Sequence, residues 1–273
     1  MRTASAKAQE TEGDAMKPNE PITPRPELLL NPTTPIQQWE FGVISAATWP
    51  FFAPYRIIHS QPQPLLPPTG RTPRLLSAII ATLIHYDDPC YDPATRTMRL
   101  ADGWTNITRT LGIWASRPSR QIITDCLTKM RAFPVAAPTR CVALEHTDLD
   151  PTKPAAQRNV TLTKEYAHAC RQDLREVSFV TMRDLTGALE LDLYALASLY
   201  APDDGRLRAT RRLLSKMMPG SRRRLGSGVQ RDRLFASLNA AQDRWTYGMD
   251  DEHDMLVITG RDADGDGGTV TLS

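Results

Sequence analysis

The chemistry this chain offers lies in its bases. From Arg206 to Arg233 there are ten Lys or Arg and a single acid, Asp232, in a protein of net charge +2. Guanidinium groups at such density match phosphate oxygens, and a basic run inside folded sequence is the footprint of nucleic-acid binding. Two apolar rows at helical spacing run through the stretch, Leu213/Leu214/Met217/Met218 and Leu234/Phe235/Leu238. Between them, from Pro219-Gly220-Ser221 to Gly226-Ser227-Gly228, one helix must stop and another start. Helix, turn and basic helix is the layout that carries a second helix into the DNA major groove. The plain alternative is a solvated basic face between two core helices.

Other constellations point to no catalysis. Asp262-x-Asp264-x-Asp266-Gly267 imitates the start of a calcium loop, but its twelfth position is Ser273 and no helices are expected to flank it. The histidines, His59, His85, His146, His168 and His253, do not pair with cysteines at zinc spacing; His85 and Cys90 are neighbours without a second pair. Neither GxxxxGK[ST] nor GxGxxG occurs, and no tyrosine sits among the clustered His or Arg that strand transfer needs. No enzyme activity, metal or cofactor is therefore expected. Cys90, Cys126, Cys141 and Cys170 are scattered, which suits buried free thiols in a reducing, cytoplasmic compartment. Leu75 to Ile84 is too short to cross a bilayer, and Met1 to Asp14 has no hydrophobic segment, so neither membrane nor secretory signal is expected.

The elements that must position the bases follow from periodicity. Residues 1–20 are polar and expected to be disordered, and 13 of the 22 prolines lie between Pro18 and Pro73. Within that arm Trp39, Phe41, Trp49, Phe51, Phe52 and Tyr55 crowd together. They are expected to tie the arm to the first domain, with partner docking as the other reading. Thr72-Pro73 should open a helix carrying Leu76, Ile79, Ile80 and Leu83, followed by a short strand at Met98 to Leu100 and a helix from Trp104 to Leu111. A third helix, begun by Ser116 and Pro118, should bury Ile122, Ile123, Cys126, Met130 and Phe133. Its opposite face then shows Arg117, Gln121 and Thr124, with Arg120 at the flank. Strands are expected at Cys141 to Leu144 and Asn159 to Leu162, with Lys153 and Arg158 in the loop between them. The same order recurs: a helical stripe of Leu189, Leu193, Leu196 and Tyr200, the basic stretch, then strands at Trp245 to Tyr247 and Met255 to Thr259. The expected fold is mainly α with small β-hairpins (α+β). Two tandem winged-helix domains, residues 72–165 and 166–262, would follow an arm at 1–71 and precede a polar tail at 263–273.

This order of elements resembles the replication initiator (Rep) proteins of plasmids, most closely those of the broad-host-range type. Asp125-Cys126-Leu127 with Met130 is similar to the Asp-Cys-Ile-x-x-Leu core face of that family's first recognition helix. Val160-Thr161-Leu162 resembles the end of its first domain, and Val177, Val180-Thr181-Met182, Leu185 and Leu189 the opening of its second. The basic helix ending in Leu238, with Trp245-Thr246 and Ile258-Thr259, resembles its last helix and wing. The likeness covers roughly residues 72–262. It implies binding to direct repeats of double-stranded DNA at a plasmid origin, with host or plasmid replication proteins and a second copy of the chain as further partners. In that setting Arg117, Gln121 and Thr124 would read bases. Arg120, Lys153, Arg158, Arg222, Arg223, Arg224, Gln230, Arg231 and Arg233 would complete the DNA-binding set, Arg231 lying nearer the apolar face. Asp250, Asp251, Glu252 and Asp254 would repel phosphates, so the second hairpin should stand off the DNA. The alternatives are a winged-helix transcriptional regulator at a promoter operator, and a scaffold that binds protein through its aromatic arm.

Overall fold

The computed structural model describes residues 40–49, 70–99, 112, 117–132, 142–150, 152–153, 157–218, 221–263 and 268–272, with backbone alone at 117–120. In chain order the first elements are β1 (Phe41–Ser45), α1 (Arg71–His85), β2 (Tyr91–Asp92), β3 (Thr97–Arg99), α2 (Arg117–Ala132), β4 (Leu144–Asp148) and β5 (Asn159–Leu162). Next come α3 (Lys164–Ala169), β6 (Leu174–Ser178), α4 (Phe179–Asp184), α5 (Ala188–Tyr200) and β7 (Arg206–Thr210). The last are α6 (Arg211–Met217), α7 (Ser221–Gly226), α8 (Gly228–Ala241), β8 (Trp245–Asp250), β9 (Met255–Gly260) and β10 (Thr269–Leu272).

The expected mainly α fold with small hairpins in two tandem winged-helix domains is corrected by the sheets. The described residues are α+β on three of them: a two-stranded sheet β1-β6, and four-stranded sheets ordered β2-β3-β5-β4 and β10-β7-β9-β8. Three stretches read as arm, helix start and tail are strands. Thr269–Leu272 pairs in parallel with Arg206–Thr210, where a polar tail was expected. Arg206–Thr210, placed in the basic helical unit, alternates Leu207 and Ala209 inward with Arg206 exposed, and pairs antiparallel with β9. Phe41–Ser45, from the proline-rich arm, pairs antiparallel with β6, Phe41 opposite Ser178 and Ser45 opposite Leu174. One hydrophobic cluster runs from Ile44 and Trp49 through Leu127 and Leu162 to Leu238 and Ile258, so both halves contribute to a continuous core.

α1 lies at the centre of that core. Its helix begins at Gly70, with φ of 87° and no side-chain cap, so Thr72 sits inside the first turn instead of capping it. Every residue from Pro73 to Ile84 is buried, because β1, α2 and α5 pack around it. Burial includes Arg74, whose Nε and Nη2 donate to Asp192 of α5 at 2.6 Å each. The indole N–H of Trp49 reaches the same carboxylate at 3.0 Å. Burial pushes the Asp192 carboxyl up, while the hydrogen bonds from Arg74 and Trp49 pull it back. Arm, first half and second half thus meet on one desolvated carboxylate. The arm is also fitted sterically: a Cβ on Gly42 would lie 2.2 Å from the Phe179 ring and 2.7 Å from Thr82 Oγ1. That hydroxyl is itself engaged, accepting from Val43 N–H and donating to Ala78 O. Trp39, Phe51, Phe52 and Tyr55 lie outside the described residues.

Candidate nucleic-acid interface

α8 is held from below and left open at its start. Leu234, Phe235 and Leu238 are buried, as their spacing predicts. At its far end Asn239 clamps the helix to β8, accepting Tyr247 N–H at 2.9 Å and donating to Tyr247 O at 3.4 Å. Ser227 precedes the helix without a capping hydrogen bond, and no acid lies in the first turn. The N–H groups there keep their unpaired ends and partial positive charge. A Cβ placed on Gly228 would meet nothing within 4 Å.

α7 feeds bases to that end. The expected break between two helices contains this additional short helix. It is anchored by Leu225 and by Ser221, whose hydroxyl donates to Leu214 O at 3.0 Å. With both anchors inward, Arg222, Arg223 and Arg224 all face solvent. Arg223, Arg224, Gln230 and Arg233 line one cleft of about 510 Å³ with Leu234 and Glu190. Of the six predicted residues on α7 and α8, four are therefore brought together, with Arg222 and Arg231 outside the cleft lining. Glu190 was missed by sequence reasoning. It accepts Gly187 N–H at 2.6 Å, and the readable signal was an acid three residues after the glycine that starts α5.

The ten bases of the stretch divide by partner. Arg208 pairs with Asp250, Arg211 with Asp254 at 2.6 Å, and Arg231 with Asp251 at 2.6 Å and Asp232 at 3.7 Å. Arg231 is thus drawn to the β8–β9 turn and its side chain is only 20% exposed. Asp250, Asp251 and Asp254 of that turn are engaged as counter-ions, whereas Glu252 makes no ion pair among the described residues, and the backbone N–H of His253, with its ring, holds the Asp250 carboxyl below the usual range. Among the described residues the other seven bases, Arg206, Arg212, Lys216, Arg222, Arg223, Arg224 and Arg233, are exposed and make no ion pair.

The first half is less open. On α2 the buried face is Ile123, Cys126, Leu127 and Met130, whereas Ile122, expected in the core, is 50% exposed. Ile123, Cys126 and Met130 are buried as expected, and Leu127 takes the place of Ile122: a stripe through 123, 126, 127 and 130 leaves 122 at its edge. Burial pushes the Cys126 thiol up to about 12, which suits an inert packing residue. Gln121 is exposed and donates to Asp125 at 2.7 Å; Thr124 is half-buried, its carbonyl accepting the Thr128 hydroxyl at 2.9 Å. The side chains of Arg117 and Arg120, and all of Phe133, lie outside the described residues. Lys153 and Arg158 are gathered at the β4–β5 turn. Lys153 pairs with Asp148 at 2.5 Å, and Arg158 donates to Lys153 O at 2.8 and 3.1 Å. Lys153 therefore already has a counter-ion.

No protein-family model and no curated protein matches the chain. Among the described residues no three His, Cys, Asp or Glu side chains gather to hold a metal ion, and no helix is long and apolar enough to cross a membrane.

Proposed function

We propose that this chain binds double-stranded DNA sequence-specifically at the direct repeats of a plasmid replication origin and thereby initiates plasmid replication. The observation that supports this reading best is the sorting of charge. Among the described residues seven exposed bases of the stretch from Arg206 to Arg233 make no ion pair, and four of them flank the uncapped N-terminus of α8. Phosphates would take the place of the missing acids, with the first-turn N–H groups as further donors. α8 is a 14-residue helix anchored on one side only, which leaves its opposite side free to enter a major groove. The work is binding and not catalysis. The remaining partners are replication proteins and a second copy of the chain.

A salt titration with duplex DNA tests the reading. Five to eight phosphate contacts would make log K fall against log salt with a slope of about −0.9 per contact. A flat response from low to physiological salt rules the reading out. Footprinting on the DNA flanking the gene tests the origin assignment: protection of tandem direct repeats beside AT-rich sequence is expected, and protection of an inverted repeat at a promoter overturns it.

A further inference from the structure

Val229 is the most exposed of the large apolar side chains described, at 65%. It stands in the first turn of α8, beside Gly228 with open space around it and Gln230 in the basic cleft. Arg233 lies four residues on, hence on the same side of the helix and away from Leu234, Phe235 and Leu238. An exposed β-branched side chain one helical turn before Arg233, which makes no ion pair among the described residues, and next in sequence to a residue of the basic cleft has no complement on an ordinary protein surface. An anionic surface that presents single methyl groups does complement it, and the DNA major groove, with its thymine C5-methyls between phosphate rows, is one. α2 repeats the pairing in mirror order. There Ile122, 50% exposed, follows the exposed Gln121, as Val229 precedes Gln230.

We infer that Val229 reads a thymine methyl in the major groove while Gln230 reads an adjacent adenine through its N6 and N7 edge, and that Ile122 with Gln121 makes the equivalent contact from α2. The inference rests on the DNA-binding reading and adds its specificity: A·T pairs at the centre of each contacted groove. Val229 and Ile122 supply what the arginines do not, since phosphate contacts are the same for every sequence.

The test uses the full chain and a random-sequence duplex pool. The duplex enriched by repeated selection is resynthesised with uracil replacing thymine one position at a time, which removes only the C5-methyl. Loss of one buried methyl group should weaken binding about fourfold at the position under Val229. Val229→Ala should erase that sensitivity at its own position and leave the one attributed to Ile122, and Ile122→Ala the reverse. Both side chains are exposed, and a thermal melt matching the parent confirms that each variant is folded. If the uracil duplexes bind as tightly as the thymine duplex at every position, the inference is overturned and salt-sensitive DNA binding stands. If Val229→Ala keeps its uracil sensitivity, another residue reads the methyl and the inference also fails. If the parent retains no duplex even at low salt, the DNA-binding reading itself fails and takes this one with it.

Discussion

Replacing Arg222, Arg223 and Arg224 together with alanine removes three exposed bases whose side chains hold nothing else in place. Ser221 and Leu225, the buried anchors of α7, are untouched, so the fold should change by no more than about 0.5 kcal/mol per site and the melting temperature should hold. Each phosphate contact contributes about 0.9 to the slope of log K against log salt, so three lost contacts flatten it by about 2.7. From about 50 to 200 mM salt the parent should therefore lose roughly 40-fold more affinity than the variant. Fluorescence anisotropy on a labelled duplex, titrated at four or five salt concentrations, reads this directly. The loss should be alike on selected and random DNA, because phosphates carry no sequence. Arg231→Ala is the internal contrast: its guanidinium is already held by Asp251 at 2.6 Å, so it should flatten the slope by less than one contact. A triple variant with unchanged melting temperature and unchanged slope would refute the reasoning, and the basic stretch would then be only a solvated face.

Asp192→Asn should cost about 3–5 kcal/mol, because it leaves the Arg74 guanidinium buried without its counter-ion; chemical denaturation measures it, and a loss under 1 kcal/mol would show that the pair is not desolvated. Gly42→Ala should cost about 1–3 kcal/mol by forcing the Phe179 ring or Thr82 to move, read as a lower melting temperature. Burial holds the His85 imidazole below its usual pKa, and its Nε2 is buried without a hydrogen-bond partner among the described residues. The unfolded chain therefore takes up the proton first as pH falls below about 6.5, and stability drops from there toward the folded-state pKa. His85→Gln should flatten that acid limb of the stability profile, and an unchanged limb assigns the effect elsewhere.

Several features could be read from residue order because one local rule dominated them. Leu234, Phe235 and Leu238 repeat at 1 and 3 and all are buried; Met255 to Thr259 alternates and is a strand. The misses share a cause, which is that the deciding contacts are distant in sequence. Arg206–Thr210 has the alternation of a strand, but three of its five residues are Arg or Thr, and the partner that makes it one is β9, some fifty residues later. Thr269–Leu272 looked like a tail because only pairing with β7 orders it. Trp49 was expected to anchor the arm, and it is buried. Its polar partner Asp192, 143 residues away, could not be inferred from either residue's neighbours. Ile122 failed differently: Ile123, Cys126 and Met130 are buried as expected, but the buried stripe is centred nearer Leu127, which exposes a side chain that composition alone assigns to the core.

The acids of the β8–β9 turn explain how so modest a net charge can serve a basic face. Asp250, Asp251 and Asp254 neutralise Arg208, Arg231 and Arg211, three bases near the hairpin, and leave those of α7 and the outer side of α8 uncompensated. Four of the bases left without an ion pair, Arg222, Arg223, Arg224 and Arg233, lie on α7 and the first half of α8, and a local excess of positive charge there would attract an anionic partner to that end of the helix. A chain with the same bases and no such acids would be more basic overall and less particular about how it met a phosphate backbone. Asp251→Asn isolates the effect, since it removes the 2.6 Å partner of Arg231, leaving only Asp232 at 3.7 Å, without touching Arg222, Arg223 or Arg224. Arg231 then gains access to phosphate, so the salt slope should steepen by up to about 0.9 on random DNA. Affinity for a selected site should rise less than affinity for random DNA, because the added contact carries no base information. A variant whose slope matched the parent would mean that Arg231 faces away from the DNA even when free, and that the acids serve the hairpin's own stability and nothing more.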